Sequence, residues 1–352
     1  DHSISRSVVD IVDLNNFEVI HTYKHDIAEM NDQVTNTEEF PRIKIDDAKI
    51  RFEYRHPLLL SDGSLVSDSD YSVEFKIDFC SNLKWINDEE KFHHSTMLDH
   101  EGNIWVGGKM NPKSKYIKKH SFNDYEDDSI IKINTDGKIL YNKSVTEILI
   151  ENNIVPNNFA FNQYVSNQND PIHLNDIQPV LTDGSFWKKG DLFLSLRSLS
   201  MIMLYRPSTN KVLWHQQGPW IYQHDVDIMS ENDISIFNNN LNLEKNKVKN
   251  NNETLIYNFL NNKTSNPYKK AYEINKIATP EAGLSVILKN GDIFVEETLN
   301  GRLLRMDKNG KIIWQYINRL KNNKLYILSW SRYLNNEVIS KKLLDDLKKT
   351  CL

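Results

Sequence analysis

The chain repeats itself. GDLFLSLRSLSMIMLYRPSTNKVLWHQ, from Gly190 to Gln216, aligns with GDIFVEETLNGRLLRMDKNGKIIWQY, from Gly291 to Tyr316, after one gap. Both read as turn, strand, strand, turn and strand, the last carrying Trp214 or Trp314. A third copy runs from DGSLVSDSDYSVEFKID to Trp85. A fourth opens with EGNIWVGGKM, takes a charged insertion and resumes as SIIKINTDGKILYNKS. A weaker fifth begins NDISIFNNN and continues as ETLIYNFLNNKTSNPYKKAYE. Apolar and polar residues alternate along these runs, with Asp-Gly, Asn-Gly or Thr-Asn between them, the pattern of hairpins in half-buried antiparallel sheet.

Each copy holds about four strands once the stretch before its first glycine is counted, which is one propeller blade. At about fifty to sixty residues per blade, 352 residues make six. The expected fold is therefore all-β, a six-bladed β-propeller forming one domain over residues 1–352. SVVDIVDLNNFEVIHTY would supply outer strands of the sixth blade and KLYILSWSRYL its inner ones. Pairing the N- and C-terminal strands would close the ring and leave no edge. Helix is expected in TEILIENN after Val145 and at the C-terminus, about residues 337–350, where EVISKKLLDDLKKT has helical apolar spacing. The asparagine-rich run Asn238 to Asn252 reads as a mobile loop between strands.

A hydrophobic share of 39% is ample for a core, and a net charge of −5 offers no basic surface for nucleic acid. No run approaches the roughly eighteen apolar residues of a membrane helix. The chain begins at Asp1, so a signal peptide or anchoring helix is expected to have preceded it, a cloning cut being the duller account. The first account places the globular part outside the cytoplasm. Cys80 and Cys351 lie far apart, one beside the chain end, so no structural disulfide is expected. Asn142, Asn252 and Asn262 match glycosylation acceptors, as chance provides in so asparagine-rich a chain.

The stretch before each first glycine is the innermost strand, which lines the channel, and it carries histidines. His94 precedes Gly102 by eight residues, His224 precedes Asn232 by eight, and His56 precedes Gly63 by seven. His173 lies further from Gly190 because TDGSFWKK intervenes. Rotation about the propeller axis relates these positions, so the rings should converge at one mouth. Arg197 joins them because, in an antiparallel hairpin, the start of one strand and the end of the next share an edge. Its counterparts Asp70, Lys109, Asn239 and Thr298 are polar, which suits a solvated rim. Two readings stay open: the histidines fill and hydrogen-bond the axis, or His173, His224, His94 and Arg197, with Asn175, form a site. Imidazole binds zinc, copper and iron, but no carboxylate recurs at the ring and an arginine charge disfavours a cation, so no metal is expected. An oxyanion suits the cluster, since arginine and histidine donate charge-assisted hydrogen bonds to its oxygens.

HLNDIQPV at His173, GDLFLSLRSLSMIMLY around Arg197 and KVLWHQQGPWIYQHDVDI at His224, in that order, resemble the arylsulfotransferase family, and FHHSTMLDHEGNIWV extends the likeness. It runs from about His56 to Arg332. The resemblance implies a bacterial, periplasmic, six-bladed propeller that moves a sulfuryl group from an aryl sulfate donor to a phenolic acceptor. The route is ping-pong, needs no cofactor such as 3′-phosphoadenosine phosphosulfate, and passes through a sulfated histidine. By motif that histidine corresponds to His224 of Gln223-His224-Asp225. His173 and Asn175 match the His-x-Asn-Asp element, and Arg197 matches the sulfate-binding arginine. One of His93 and His94 matches an upstream histidine; the spacing favours His94, which with His56 is assigned to substrate binding.

The residue types suit that chemistry. Neutral imidazole is a good nucleophile, and a covalent intermediate splits one difficult transfer into two. Arg197, Asn175 and His173 could neutralise the transferred oxygens, and His173 or His94 could protonate the departing phenolate. The rival reading is a non-catalytic propeller that binds a sulfated or anionic ligand at the same mouth. A third, a protein scaffold, calls for a large exposed apolar patch.

Overall fold

A computed structural model describes residues 6–45, 52–69, 71–116, 125–154, 169–242, 244–245, 247–319, 325–335 and 339–351. Among these the chain is mostly antiparallel β-structure, and each repeat folds into a meander whose strands pair in chain order. The strands Leu174–Pro179, Leu192–Leu196, Met201–Arg206 and Lys211–Gln217 make one four-stranded sheet. Val226–Ile228, Asp233–Asn238, Glu253–Asn258 and Lys263–Ser265 make the next. Leu284–Ile287, Ile293–Glu297, Arg302–Met306 and Ile312–Ile317 make the last. Upstream, Arg55–Leu59 to Leu83–Phe92 and Met97–Leu98 to Ile139–Ser144 are two more meanders, fused where Lys91 and Phe92 pair with Lys109 and Gly108.

Burial explains the sequence of each meander. Leu192–Leu196 is buried at every position, whereas Lys211–Gln217 alternates exposed and half-buried residues. A strand covered on both faces reads as a continuous apolar run, and one covered on a single face alternates. The cover comes from neighbouring sheets. Phe193, Ile202 and Leu204 pack with Ile234, Ile236 and Tyr257 of the following sheet, while Leu192, Leu194 and Met203 pack with Trp105 and Ile130 of the preceding one. Apolar clusters thus lie between successive sheets, each sheet serving two.

The ends of the chain differ from expectation. Val9–Val12 pairs with Val19–Tyr23 as a hairpin of its own, and KLYILSWSRYL forms no inner strand among the described residues, only a bridge from Leu325 to Arg319. Several of its polar groups bond to side chains and carbonyls instead, while Ser329 Oγ is buried without a partner among the described residues. Leu328 donates to the Thr298 carbonyl, Trp330 N and Ser331 N donate to the Glu296 carboxylate, and Arg332 donates to the carbonyls of Pro57, His56 and Thr96. The segment therefore runs from the last sheet to the first. The N-terminal hairpin spans the same gap further out: Phe17 packs edge-on against Trp314 and Tyr23 donates to the Gly63 carbonyl.

A second correction concerns the cysteines. Cys80 and Cys351 form a disulfide, with Cα atoms 5.2 Å apart. The helix Lys341–Lys348, within the expected 337–350 but shorter, buries Leu344 in the core of the first sheet and carries Cys351 to Cys80; residues 336–338 lie outside those described. The expected helix after Val145 is present as Val145–Glu151, capped by Ser144. Two more were not expected. Asp26 caps Ile27–Gln33 through the amides of Ala28 and Glu29, and Lys269–Asn275 occupies KKAYEIN, where strand was expected. Both bury part of one face, Ile27 and Met30 in the first, Ala271 and Tyr272 in the second. The asparagine-rich run holds a small hairpin, Leu241–Asn242 with Lys247–Val248, and Asn252 is fully buried with its amide bonded to the carbonyls of Asn239 and Thr279, which excludes a glycan there. No described helix is long and apolar enough to cross a membrane.

Candidate active site

Histidines stand where the first strands of the sheets begin. His56 lies in Arg55–Leu59, His173 immediately precedes Leu174–Pro179, and His224 lies two residues before Val226–Ile228. His56, His94 and His173 all take the left-handed backbone, with φ of 43°, 54° and 51°, as does Ala282 (φ 51°) ahead of the last sheet. Residues other than glycine reach this region at a cost, and such strain concentrates at functional sites. Arg197 lies across the hairpin as expected, its amide donating to the His173 carbonyl at 2.9 Å.

The geometry assigns the ring nitrogens. Asn239 donates through Nδ2 to the carbonyls of Ala282 and Thr279 at 2.8 and 3.2 Å, so its Oδ1 faces His224 Nδ1 at 2.7 Å and takes that proton. His224 Nε2 is then an acceptor, and Ala282 N donates to it at 2.9 Å. Burial, then the charge of Arg197, holds His224 well below the usual histidine range, so the ring is neutral at pH 7. His56 accepts from Ser95 N at 3.0 Å through Nδ1, is stacked on Trp330 at 4.1 Å, and is kept neutral by burial and then by Arg332. His94 Nε2 lies 3.3 Å from His173 Nε2, and Asp170 takes the hydrogen bond of His173 Nδ1. Arg197 places its guanidinium 4.6 Å over the Tyr222 ring, and its Nε is buried without an acceptor among the described residues.

His56, His94, Asn175, His224, Thr298 and Trp330 line a cavity enclosing ≈ 20 Å³ of free space. That is room for a water molecule. His173 and Arg197 stand beside the cavity, one through His94, the other through its charge on His224. The six residues singled out from sequence are therefore brought together, His56 and His224 across 168 positions of chain.

Three features were misread or missed. The rim is not solvated: Lys109, Asn239 and Thr298 are buried, while Asp70 lies outside the described residues. Carboxylates do recur beside the ring. Asp176 follows Asn175 and Asp225 follows His224; both, with Asp227, lie round the half-buried Arg332. Asp170 escaped notice because it belongs to no repeat position, and only its contact with His173 reveals it. No cluster of three or more potential metal ligands occurs among the described residues.

In this antiparallel β-protein the neutral rings of His56, His94 and His224 and the buried Nε of Arg197, whose terminal nitrogen lies 4.0 Å from the Glu281 carboxylate, thus gather at one cavity. Residues 58–319 match the family Arylsulfotransferase (ASST), and the chain belongs to that family. Membership points to a transferase with aryl sulfate and phenol substrates. No curated protein matches the chain. Among solved structures it is similar to a protein of unknown function from Bacteroides caccae, at 11% identity and a TM-score of 0.51, over 88% of this chain and 89% of that one. It also matches virginiamycin B lyase from Staphylococcus aureus at 11% identity and a TM-score of 0.42, over 76% and 71% of the two chains. The Bacteroides likeness is one of fold alone.

Proposed function

We propose that the chain moves a sulfuryl group from an aryl sulfate to a phenol through a sulfohistidine on His224, without 3′-phosphoadenosine phosphosulfate. The observation that carries this is the pairing of His224, neutral and with its Nδ1–H held by Asn239, with the buried, unpaired Nε of Arg197. A neutral ring with one nitrogen occupied presents the other as nucleophile. A desolvated guanidinium donor calls for an oxyanion. Asn175 and His94 line the cavity where the transferred oxygens would lie.

The same reading takes the five meanders as blades of a six-bladed ring over residues 1–352, with the N-terminal hairpin and the segment 326–333 forming the sixth position. The Cys80–Cys351 disulfide supports an extracytoplasmic, periplasmic setting, where such bonds persist.

The rival is a non-catalytic cradle for a sulfated ligand. It is favoured by the Ala282 amide that occupies the His224 Nε2 lone pair. Incubation with 4-nitrophenyl sulfate separates the two. Transfer leaves a mass increment of one sulfuryl group on the His224 peptide, absent in His224→Ala, whose circular dichroism is unchanged. Saturable binding with neither label nor turnover establishes the cradle. A label that persists in His224→Ala moves the nucleophile to another histidine.

A further inference from the structure

Behind His173 lies a buried pair of charges. Asp170 is only 1% exposed; its Oδ2 meets His173 Nδ1 and its Oδ1 takes Lys109 Nζ at 3.2 Å. Lys109 is buried too, with Asp128 and Glu126 each 2.8 Å from its Nζ. Across the ring, His173 Nε2 faces His94 Nε2. Resting on the sulfuryl-transfer reading, we propose that Asp170 and Lys109 are positioning residues that hold His173 as the Nδ1–H tautomer. That makes its Nε2, and not His94, the atom that exchanges a proton with the phenol.

An ionised carboxylate only accepts and an ammonium only donates. Burial would raise the Asp170 pKa, but the charges of His173 and Lys109 outweigh it and hold the group well below the usual carboxylate range. Burial would likewise lower Lys109, and Asp128 and Asp170 reverse the sign. The acceptor at His173 Nδ1 is therefore permanent. Nδ1 keeps its proton in both charge states of the ring, and gain and loss of a proton occur at Nε2. His94 has no carboxylate in hydrogen-bond reach among the described residues, and burial, then His93 and His173, keep it neutral. It is the resting acceptor of the Nε2 proton.

The steps balance. As His224 Nε2 forms a bond to sulfur, the bond from sulfur to the aryl oxygen breaks with its electron pair on oxygen, and His173 Nε2 gives that oxygen its proton. In the return step the acceptor phenol loses its proton to His173 Nε2 as its oxygen bonds to sulfur. The nitrogen–sulfur pair then returns to His224.

Asp170→Asn is the discriminating change. The ammonium of Lys109 demands the amide oxygen, which turns the amide NH₂ toward His173 Nδ1 and moves the ring proton to Nε2. Nitrogen-15 histidine spectra of the full chain read this directly. Wild type should show His173 protonated at Nδ1, Asp170→Asn at Nε2, and Asp170→Asn with Lys109→Met should return the proton to Nδ1, since the amide is then free to turn its oxygen inward. A wild-type ring protonated at Nε2 alone overturns the proposal, even if no variant folds. So does an unchanged tautomer in Asp170→Asn.

The kinetic arm compares single-turnover labelling by phenyl sulfate and 4-nitrophenyl sulfate. Asp170→Asn should slow the first by about a hundredfold, the scale of general acid catalysis, and the second by less than about tenfold, because nitrophenolate leaves without a proton. Equal slowing of both assigns Asp170 a structural role only and overturns the acid assignment. Absence of any label in wild type sinks the sulfuryl-transfer reading and the acid role with it, while the tautomer assignment still stands or falls on the spectra.

Discussion

Arg197 sets its guanidinium over the Tyr222 ring with a terminal nitrogen 4.0 Å from Glu281 and keeps Nε buried and unbonded, so its proposed value lies in a planar fork of donors with Nε still to be satisfied. Lysine keeps the charge but not the fork, and its single ammonium cannot meet two oxygens in one plane. In Arg197→Lys the rate of sulfuryl labelling should fall by about a hundredfold, as loss of an oriented oxyanion donor does, with the circular dichroism spectrum unchanged. A labelling rate within about threefold of wild type, far short of that oriented-donor effect, would remove Arg197 from the site. His224 depends on a similar arrangement: Asn239, itself locked by two carbonyls, dictates that Nδ1 carries the proton and Nε2 the lone pair, which the Ala282 amide meets.

At the scale of elements, the segment 326–333 is held by a half-buried arginine together with Glu296. Arg332 reaches the carbonyls of Pro57, His56 and Thr96, and lies among Asp176, Asp225 and Asp227. Burial, then the Asp176 charge, pushes the Asp227 carboxyl up to about 7 against the pull of Arg332. A carboxyl whose folded value exceeds its unfolded value near 3.9 takes up a proton on folding; its contribution is fully present below about pH 4 and lost as pH rises to about 7. Asp227→Asn lacks this loss. Relative to wild type it should gain about 1.4 kcal/mol per pH unit between pH 4 and 7 and then level off. Denaturant midpoints across that range measure it, and a difference independent of pH refutes it.

The C-terminal helix is a second such element, with only Leu344 fully in the core and a disulfide to hold it. Cys351→Ser should cost about 2–4 kcal/mol of stability. The comparison is of urea unfolding in wild type, reduced wild type and the variant. Coincident oxidised and reduced curves would show that the bond contributes nothing.

For the whole molecule the sheets are joined in series with apolar clusters between neighbours, and on the proposed ring reading the junction between last and first is the weak point. Removing the chain from Lys324 onward takes away the Glu296 contacts, Arg332, the helix and Cys351 together. The truncated protein should lose cooperative unfolding. A sharp transition at the wild-type temperature would show that the sheets stand as an open stack.

Much of this was legible in the order of residues. The meanders were visible because strand periodicity and turn chemistry are local properties; their repetition placed His56, His94, His173 and His224 at equivalent positions, and hairpin topology placed Arg197 beside them. What repetition cannot encode is a contact made once. Asp170 meets His173 through a local turn outside the repeat, and Lys109 was readable only as a polar residue until Asp128 and Asp170 closed round it. Cys80 and Cys351, 271 positions apart, looked unpaired because nothing in sequence announces that the last helix folds back on the first sheet. The expected terminal strands failed for a related reason: hydrophobic alternation specifies which face is buried, while the partner of a backbone amide depends on whichever acceptor lies nearest once the sheets have packed. Local pattern thus determined the antiparallel elements and which side chains gather at the cavity; protonation, charge pairing and the joining of the ends depend on desolvation and distance, which exist only in the folded chain.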